Sequence, residues 1–362
     1  MWRTLTAALI GGIAFKLMHA PVPWLLGPMI AVLIGSGVLG GTLRWPTQLR
    51  NAGMIIVGYT IGLSMTREAL KEMSYQLPTM LLMIVLLLLF CTGIALLVSK
   101  LSKLDFKTAL LGSVPGGLTQ IIALAEESEG VNLTIVTVTQ VIRLMMIIVC
   151  VPLIVFNPIF GAPHQDSASE LPMTAGLSAG WGGLFPELLP FAIASVACAV
   201  LGSRVRFPTA YLLGPALITA VLQLSGLHGP ALPSLLIDAA QLMIGAYVGL
   251  LLKPQELTNK LRTITLAIGS GALLLAGSCA FAALLTKLQP VSVPTALLSL
   301  APGGMDQMGI IAHEIDADLS MVAGYQLFRT FFIFFAVPPL LRLLFSYSRT
   351  KAEKARRAAE DH

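Results

Sequence analysis

The chain repeats itself at a fixed spacing, and this repetition limits its architecture more than any other feature. Residues 21–29, Pro-Val-Pro-Trp-Leu-Leu-Gly-Pro-Met, match residues 208–216, Pro-Thr-Ala-Tyr-Leu-Leu-Gly-Pro-Ala, at five of nine positions, 187 residues later. The same spacing carries Gly58 and Gly62 onto Gly245 and Gly249. Long internal repeats of this kind set the architecture of many polytopic proteins, so we expect two copies of one unit.

Two motifs with polar or helix-breaking residues occur once in each copy. The first is Pro115-Gly116-Gly117 with Gln120, which matches Pro302-Gly303-Gly304 with Gln307; the second is Gln140 with Arg143, which matches Gln326 with Arg329. The repetition predicts membrane repeat 1 at 1–157, an external connector at 158–181, membrane repeat 2 at 182–345 and a basic cytoplasmic tail at 346–362. Residues 4–19 align with part of 182–203, so the N-terminus reads as a retained helix and not as a signal peptide.

The amino-acid composition indicates whether this fold is surrounded by water or by lipid. Of the 362 residues, 56% are hydrophobic and 11% are charged, whereas soluble domains carry about 25% charged residues. Each copy contains six apolar segments, in the first copy at about 4–19, 22–40, 51–65, 75–99, 108–125 and 132–156. Segments of about 20 residues can cross a bilayer, so we expect a multi-pass membrane protein that is surrounded by lipid.

The lysines and arginines favour one membrane topology over another. If all twelve segments cross, thirteen of the 21 cations outside the apolar helices lie inside and eight lie outside. If each Pro-Gly-Gly segment enters the membrane and returns, seventeen lie inside and four outside, which agrees better with the positive-inside rule. We therefore predict an all-α fold of two inverted-topology repeats. Each has five transmembrane helices and one re-entrant or discontinuous Pro-Gly-Gly element, and both termini are cytoplasmic.

Arg143 and Arg329 are the two cations within apolar segments, and each follows a glutamine by three residues. An arginine at the bilayer centre costs about 2.5–3.5 kcal/mol on insertion scales, so its presence twice at equivalent positions requires compensation. One interpretation is a pair of anion-binding groups that face a central cavity. The other is that each arginine binds the free carbonyls of the neighbouring helix break.

The Pro-Gly-Gly elements predict a binding site at the middle of the membrane. Proline lacks an amide donor and glycine weakens a helix, so both elements should interrupt one. The helix that restarts would present free N–H groups to an anion. The alternative is that each element is a simple packing kink. The predicted substrate-binding residues are Pro115, Gly116, Gly117, Thr119, Gln120, Gln140, Arg143, Pro302, Gly303, Gly304, Asp306, Gln307, Gln326 and Arg329. Asp306 replaces Thr119 of the first copy, and either pairs with an arginine or couples transport to a proton or sodium ion.

Residue patterns typical of enzymes are missing from the sequence. The five histidines and four cysteines show no ligand spacing for zinc or copper, and no nucleotide-binding signature occurs in a suitable context. We therefore expect no metal, no cofactor and no catalytic residue. The basic tail is explained by anionic lipid headgroups without nucleic acid. Whether the chain forms a homo-oligomer stays open.

The duplicated Leu-Leu-Gly-Pro, Pro-Gly-Gly and Gln-x-x-Arg motifs, from Leu5 to about Phe345, resemble the AbrB family of duplicated bacterial inner-membrane proteins. Members of that family often carry an ammonia monooxygenase label, and one branch is described as a regulator of gene expression. The family is distinct from a small DNA-binding transition-state regulator of the same name. The resemblance implies a location in the bacterial cytoplasmic membrane and supplies no catalytic residue.

Three functions remain open on the sequence alone. The first is a secondary transporter that moves a small anionic solute by alternating access at a midplane site between inverted repeats, coupled to a proton or sodium ion. The second is a membrane-embedded regulator or sensor that acts through a partner on the cytoplasmic tail. The third is a membrane enzyme, which the missing metal ligands disfavour.

Overall fold

Every regular element in the described part of the chain is a helix, as predicted. The computed structural model describes residues 1–20, 22–38, 43–102, 104–115, 121, 125, 128, 130–156, 184–205, 207, 209–251, 260–333, 335, 336 and 339, with backbone only at 184–187 and 260–262. The predicted connector at 158–181 and the tail at 346–362 lie outside these residues.

Thirteen helices are described, and they follow the order of the predicted apolar segments. They are α1 (Trp2–Leu17), α2 (Pro23–Val38), α3 (Thr47–Ser64), α4 (Arg67–Ser102), α5 (Phe106–Ser113), α6 (Leu133–Val155), α7 (Leu184–Arg204), α8 (Ala210–Leu224), α9 (Ser234–Gly249), α10 (Lys260–Leu288), α11 (Val293–Leu300), α12 (Met305–Glu314) and α13 (319–333). Helix α4 has 36 residues, longer than the apolar segment at 75–99, because polar turns extend it at its N-terminal end.

Helices α5 and α11 are short because each ends just before a Pro-Gly-Gly motif. Helix α5 ends at Ser113, two residues before Pro115, and α11 ends at Leu300, two residues before Pro302. Proline cannot donate the next backbone hydrogen bond, and the residue before it disfavours helical backbone. In the second copy the chain restarts as α12 at Met305. The predicted helix break is therefore present where both of its sides are described.

An equivalent hydrogen bond in each copy links the start of the short helix to the residue before the next long helix. The Asn132 amide, just before α6, donates to Thr108 Oγ1 in the first turn of α5 at 3.1 Å. The Asp318 amide, just before α13, donates to Thr295 Oγ1 in the first turn of α11 at 3.2 Å. These hydrogen bonds join the two ends of each element in the same way in both copies.

The helices pack as two groups that each draw on both copies. The first group, which we call the scaffold body, comprises α1, α2, α3, α7, α8 and α9; the second, the core body, comprises α4, α5, α6, α10, α11, α12 and α13. Among α1 to α12, every extensive helix pair lies within one body except the pair of α12 and α3. There, Ile61 of α3 lies under Gly309 of α12.

The two copies interlock inside the scaffold body through glycines. Gly58 of α3 lies directly against the Leu212 carbonyl of α8, and the equivalent Gly245 of α9 lies against the Leu25 carbonyl of α2. A Cβ atom at either glycine would overlap that carbonyl. Glycine is therefore required for the close backbone approach, which holds the third helix of each copy on the second helix of the other.

In the described part of the chain, many large apolar side chains are exposed and several polar ones are buried in an apolar core. Large apolar side chains such as Val38, Leu89 and Ile193 are exposed, whereas Gln140 and Arg143 are buried. Within the described residues, three helices are long and apolar enough to cross a membrane, at Arg67–Ser102, Leu133–Val155 and Thr263–Leu288, and four further apolar helices are shorter. Exposed apolar surface on this scale is typical of a protein surrounded by lipid.

Candidate functional site

The Gln-x-x-Arg motif of α6 closes the end of α5. Gln140 Nε2 donates to the Leu111 carbonyl at 2.6 Å and to the Val114 carbonyl at 3.1 Å. Arg143 Nη1 donates to the Val114 carbonyl at 3.1 Å and to the Ser113 carbonyl at 3.3 Å. Gln140 Oε1 accepts a hydrogen bond from Arg143 Nη2, which fixes the two side chains together.

The second copy repeats this arrangement at the end of α11. Gln326 Nε2 donates to the Leu298 carbonyl at 2.7 Å and to the Ala301 carbonyl at 3.2 Å. Arg329 Nη1 donates to the Ala301 carbonyl at 2.7 Å, and its Nη2 donates to the Gly303 carbonyl at 2.9 Å and to Gln326 Oε1. Both arginines are 5% exposed.

This geometry agrees with the second interpretation of the arginines, in which each one binds the carbonyls of a helix break. The last carbonyls of a helix have no partner within it and carry the negative end of the helix dipole. A guanidinium supplies several donors and a positive charge to such an end. The motif therefore has a structural role in both copies, whether or not the arginines also bind a solute.

A cavity of about 190 Å³ lies beside both motifs. Of the predicted site residues, it is lined by Pro115, Gln140, Arg143, Pro302, Gly303, Gly304, Asp306, Gln307 and Arg329. Gln326 is fully buried behind this lining. Gly116, Gly117, Thr119 and Gln120 lie outside the described residues. The structure thus brings the described site residues of both copies to one cavity.

The first turn of α12 contributes an amide and a carboxylate to the cavity. Gln307 Nε2 donates to Asp306 Oδ2 at 2.8 Å, and these side chains are 3% and 7% exposed. Gln307 Oε1 and Asp306 Oδ1 both lie over the Cα of Gly304, where a Cβ would overlap them. Of the two roles predicted for Asp306, the arginine pair is not formed among the described residues, because its side-chain partner is Gln307.

Two polar atoms at the cavity have no hydrogen-bond partner among the described residues. They are Arg143 Nε, a donor, and Gln307 Oε1, an acceptor, and both are buried. Buried polar groups in proteins are almost always paired, so these two atoms can take a further hydrogen-bond partner from the cavity, such as water, an ion or a solute.

The scaffold body adds an arginine and a tyrosine that the sequence reasoning missed. Arg50 of α3 and Tyr247 of α9 line the cavity, with the Arg50 guanidinium 4.7 Å from the centre of the Tyr247 ring. The repeat gave no signal for them, because Ile237 and Thr60 stand at the equivalent positions. The weak signal available was an arginine in the first turn of an apolar helix.

The described part of the chain contains no group of side chains that could hold a metal ion. Within it, no three His, Cys, Asp or Glu side chains lie together. The four cysteines, Cys91, Cys150, Cys198 and Cys279, are free. The described residues at the cavity offer arginines, amides, hydroxyls and one carboxylate as polar groups.

The fold and the site together define a class of protein: a helical, membrane-type protein in which equivalent motifs of two sequence copies line one cavity. The chain belongs to the AbrB family, whose model, described as "Transition state regulatory protein AbrB", matches residues 24–345. This result confirms the resemblance that the motifs indicated.

Two relatives are similar to the chain over nearly its whole length. A protein of Escherichia coli (strain K12) named "Putative regulator AbrB" is 30% identical over 344 residues, which cover 94% of this chain and 95% of that protein. The "Uncharacterized protein YhjN" of Bacillus subtilis (strain 168) is 23% identical over 363 residues, covering 95% of this chain and 93% of that protein.

Proposed function

We propose that the protein is a secondary transporter that binds a small anion in the cavity between its two bodies. The observation that carries this proposal is the lining of one cavity by Arg50, Arg143 and Arg329, in a chain of which only 11% is charged. Against these three positive charges, Asp306 supplies one negative charge among the described lining residues. A buried site with excess positive charge favours an anionic ligand.

The size and position of the cavity suit a small solute. A volume of about 190 Å³ accommodates a molecule the size of several waters. The two interrupted elements supply Pro115 on one side and Pro302 to Gly304 on the other. Transporters commonly bind solutes where broken helices of two repeats meet at the midplane.

We propose the inverted topology for the membrane arrangement, with ten crossings, two re-entrant elements and cytoplasmic termini in the bacterial inner membrane. The hydrogen bonds from Asn132 to Thr108 and from Asp318 to Thr295 support re-entry, because they join the two ends of each interrupted element. A crossing of about 20 residues would separate those ends by about 30 Å. In this topology Arg50 and Tyr247 lie toward the cytoplasm, so the cavity faces that side.

Alternating access then requires one body to move against the other. The cavity is lined by α3, α8 and α9 of the scaffold body and by α6, α12 and α13 of the core body. Movement of the core body would carry both interrupted elements together across the scaffold body. The glycine contacts inside the scaffold body disfavour motion of one whole repeat against the other, because the repeats interlock there.

Arg50 is the best residue for testing the anion site. It lines the cavity and packs on Tyr247, whereas Arg143 and Arg329 also close helix ends and their loss would disturb the fold. We expect Arg50→Gln to weaken anion binding about tenfold or more, since a hydrogen bond to a charged group contributes about 1.5–3 kcal/mol. The matched control is Arg44→Gln, at an exposed arginine of the same segment.

Binding can be measured with defined probes on the whole protein. The purified chain is titrated calorimetrically with nitrate, sulfate, acetate and pyruvate, and counterflow of each bound anion is then measured in proteoliposomes. We expect at least one of these anions to bind and exchange, with Arg50→Gln weakened and Arg44→Gln unchanged. An Arg50→Gln variant that is stable and binds with wild-type affinity would contradict the anion site.

A regulatory role is the second candidate, and the name of the Escherichia coli relative favours it. A regulator would act through a partner that contacts the basic tail, whereas a transporter would keep its flux without the tail. Deletion of residues 349–362 separates the two, since unchanged anion flux supports the transporter and loss of a gene-expression response supports the regulator. We propose no enzymatic activity, and a metal bound stoichiometrically to the purified protein would argue against this view.

A further inference from the structure

Backbone carbonyls at the ends of α5 and α11 are already bound by side chains. Transporters often coordinate a coupling cation with the carbonyls at the ends of broken helices. Here the Val114 and Ala301 carbonyls accept hydrogen bonds from Gln140, Arg143, Gln326 and Arg329. A sodium ion at either place would meet a fixed positive charge and compete for occupied oxygens, so these two carbonyls are poorly suited to bind a coupling cation.

Asp306 is the acidic group that lines the cavity within the described residues. The charged and titratable groups that face the same cavity from the other elements are Arg50 of α3, Tyr247 of α9, Arg143 of α6 and Arg329 of α13. The equivalent residue in the first copy, Thr119, cannot titrate. The cavity therefore contains a carboxylate that has no counterpart in the first copy. This carboxylate lies among arginines, at the place where an anion would bind.

The partner of Asp306 is arranged to bind its protonated form. Gln307 Nε2 already donates to Asp306 Oδ2, while Gln307 Oε1 is buried without a partner among the described residues. Asp306 Oδ1 and Gln307 Oε1 lie over the same Cα, that of Gly304. A carboxylate has no donor for the Oε1 atom, whereas a carboxylic acid has one. Protonation would therefore let Asp306 donate to Gln307 Oε1, so that two hydrogen bonds join the acid and the amide.

We infer that Asp306 takes up one proton with each anion, so that the protein is a proton–anion symporter. This inference rests on the proposed anion transport. The Asp306 carboxylate takes a proton from hydronium on one side of the membrane, so one O–H bond forms on Asp306 as one breaks in hydronium. On the other side the Asp306 O–H bond breaks and the proton returns to water, with no electron transferred. The bound proton removes a negative charge beside the anion, and by linkage the anion favours the proton to the same degree.

The first test is the pH dependence of anion affinity from about pH 6 to about pH 9, where nitrate, sulfate, acetate and pyruvate all stay ionised. For the wild type we expect the affinity to fall by up to about tenfold per pH unit above the range in which Asp306 holds its proton. The Asp306→Asn variant should show no such dependence. Glu314→Gln, at an exposed acid at the other end of α12, is the control and should keep the wild-type profile.

The second test measures protons directly. Proteoliposomes carry a pH-sensitive dye, potassium and valinomycin, and one of the bound anions other than acetate is added outside, because neutral acetic acid crosses lipid bilayers and would acidify the lumen without the protein. We expect the lumen to become acidic with the wild type and with Glu314→Gln, and not with Asp306→Asn. Anion entry without acidification in the wild type, or acidification by a stable Asp306→Asn protein, would overturn the inference. Wild-type protein that neither binds nor exchanges any of the four anions would instead contradict the proposed function.

Discussion

Arg143 shows how hydrogen bonds can offset the free-energy cost of placing a charged residue in apolar surroundings. Its guanidinium donates to the Gly112, Ser113 and Val114 carbonyls and to Gln140. Each hydrogen bond to a charged group contributes about 1.5–3 kcal/mol, so two or three of them offset an insertion cost of about 2.5–3.5 kcal/mol. The fold thus stabilises the arginine, while its Nε atom has no hydrogen-bond partner among the described residues.

Gly304 is the residue at which the site can be altered without altering the fold. Its φ of −74° and ψ of 144° suit alanine as well as glycine, so Gly304→Ala introduces no backbone strain. The added Cβ would, however, occupy the place of the Asp306 and Gln307 oxygens and push both side chains aside. We expect anion affinity to fall about tenfold or more, with the melting temperature within a few degrees of wild type, measured by calorimetric titration and thermal unfolding.

Gly269 in α10 supplies the control for that substitution. It also belongs to the core body, but a Cβ there meets nothing within 4 Å. Gly269→Ala should leave anion affinity unchanged and not lower stability, because alanine is favoured over glycine in a helix. Wild-type affinity in a folded Gly304→Ala protein would show that the two oxygens do not belong to the binding site.

At the scale of the helix, the scaffold body depends on two equivalent crossings. A Cβ at Gly245 would overlap the Leu25 carbonyl, and one at Gly58 would overlap the Leu212 carbonyl. We expect Gly245→Ala to destabilise the protein by about 1–3 kcal/mol, because backbone cannot move aside as a side chain can. Gly93→Ala in α4, where a Cβ meets nothing within 4 Å, should stabilise the protein slightly or leave its stability unchanged.

Thermal unfolding in one detergent compares these variants. Gly58→Ala should match Gly245→Ala, since both glycines face the same carbonyl of equivalent leucines. A Gly245→Ala protein as stable as Gly93→Ala would mean that α2 and α9 can separate without cost. The description of the scaffold body as interlocked would then be wrong.

Re-entry of the α11–α12 element predicts which side of the membrane its flanks face. Lys287 precedes α11 and Glu314 ends α12, and both are exposed. Single cysteines at these two positions, in a chain whose four native cysteines are replaced, should react with an impermeant maleimide from the periplasmic side. A cysteine at Lys100, exposed at the end of α4, should react only from the cytoplasmic side. Labelling of positions 287 and 314 from opposite sides would mean that the element crosses.

For the whole molecule, the sequence predicted the parts better than their assembly. The helix ends before Pro115 and Pro302 follow from local chemistry, and the repetition itself pointed to Arg143 and Arg329. Arg50 could not be predicted in this way, because its place in the cavity depends on the packing of α3 against the core body. Nor does a repeat in the sequence reveal that the helices of both copies sort into two mixed bodies.

The division into two bodies has a mechanical consequence. Helices α12 and α3 form the one extensive contact between the bodies among α1 to α12, and α13 adds a hydrogen bond from Ser320 Oγ to the Ser64 carbonyl at 2.6 Å. Contacts within the scaffold body instead use backbone at close range. An interface of side chains can slide, whereas interlocked backbones cannot, so the boundary between the bodies is where movement should occur.

Cross-linking across that boundary should therefore stop transport. In a chain without native cysteines, Ser64→Cys and Ser320→Cys place two thiols where α3 meets α13. A short bifunctional thiol reagent should abolish anion counterflow, and cleavage of the link should restore it. The control pair is Leu63→Cys and Gln223→Cys, because Gln223 Nε2 donates to the Leu63 carbonyl at 3.0 Å within the scaffold body. That link should leave counterflow unchanged, and full counterflow with the 64–320 link closed would contradict movement between the two bodies.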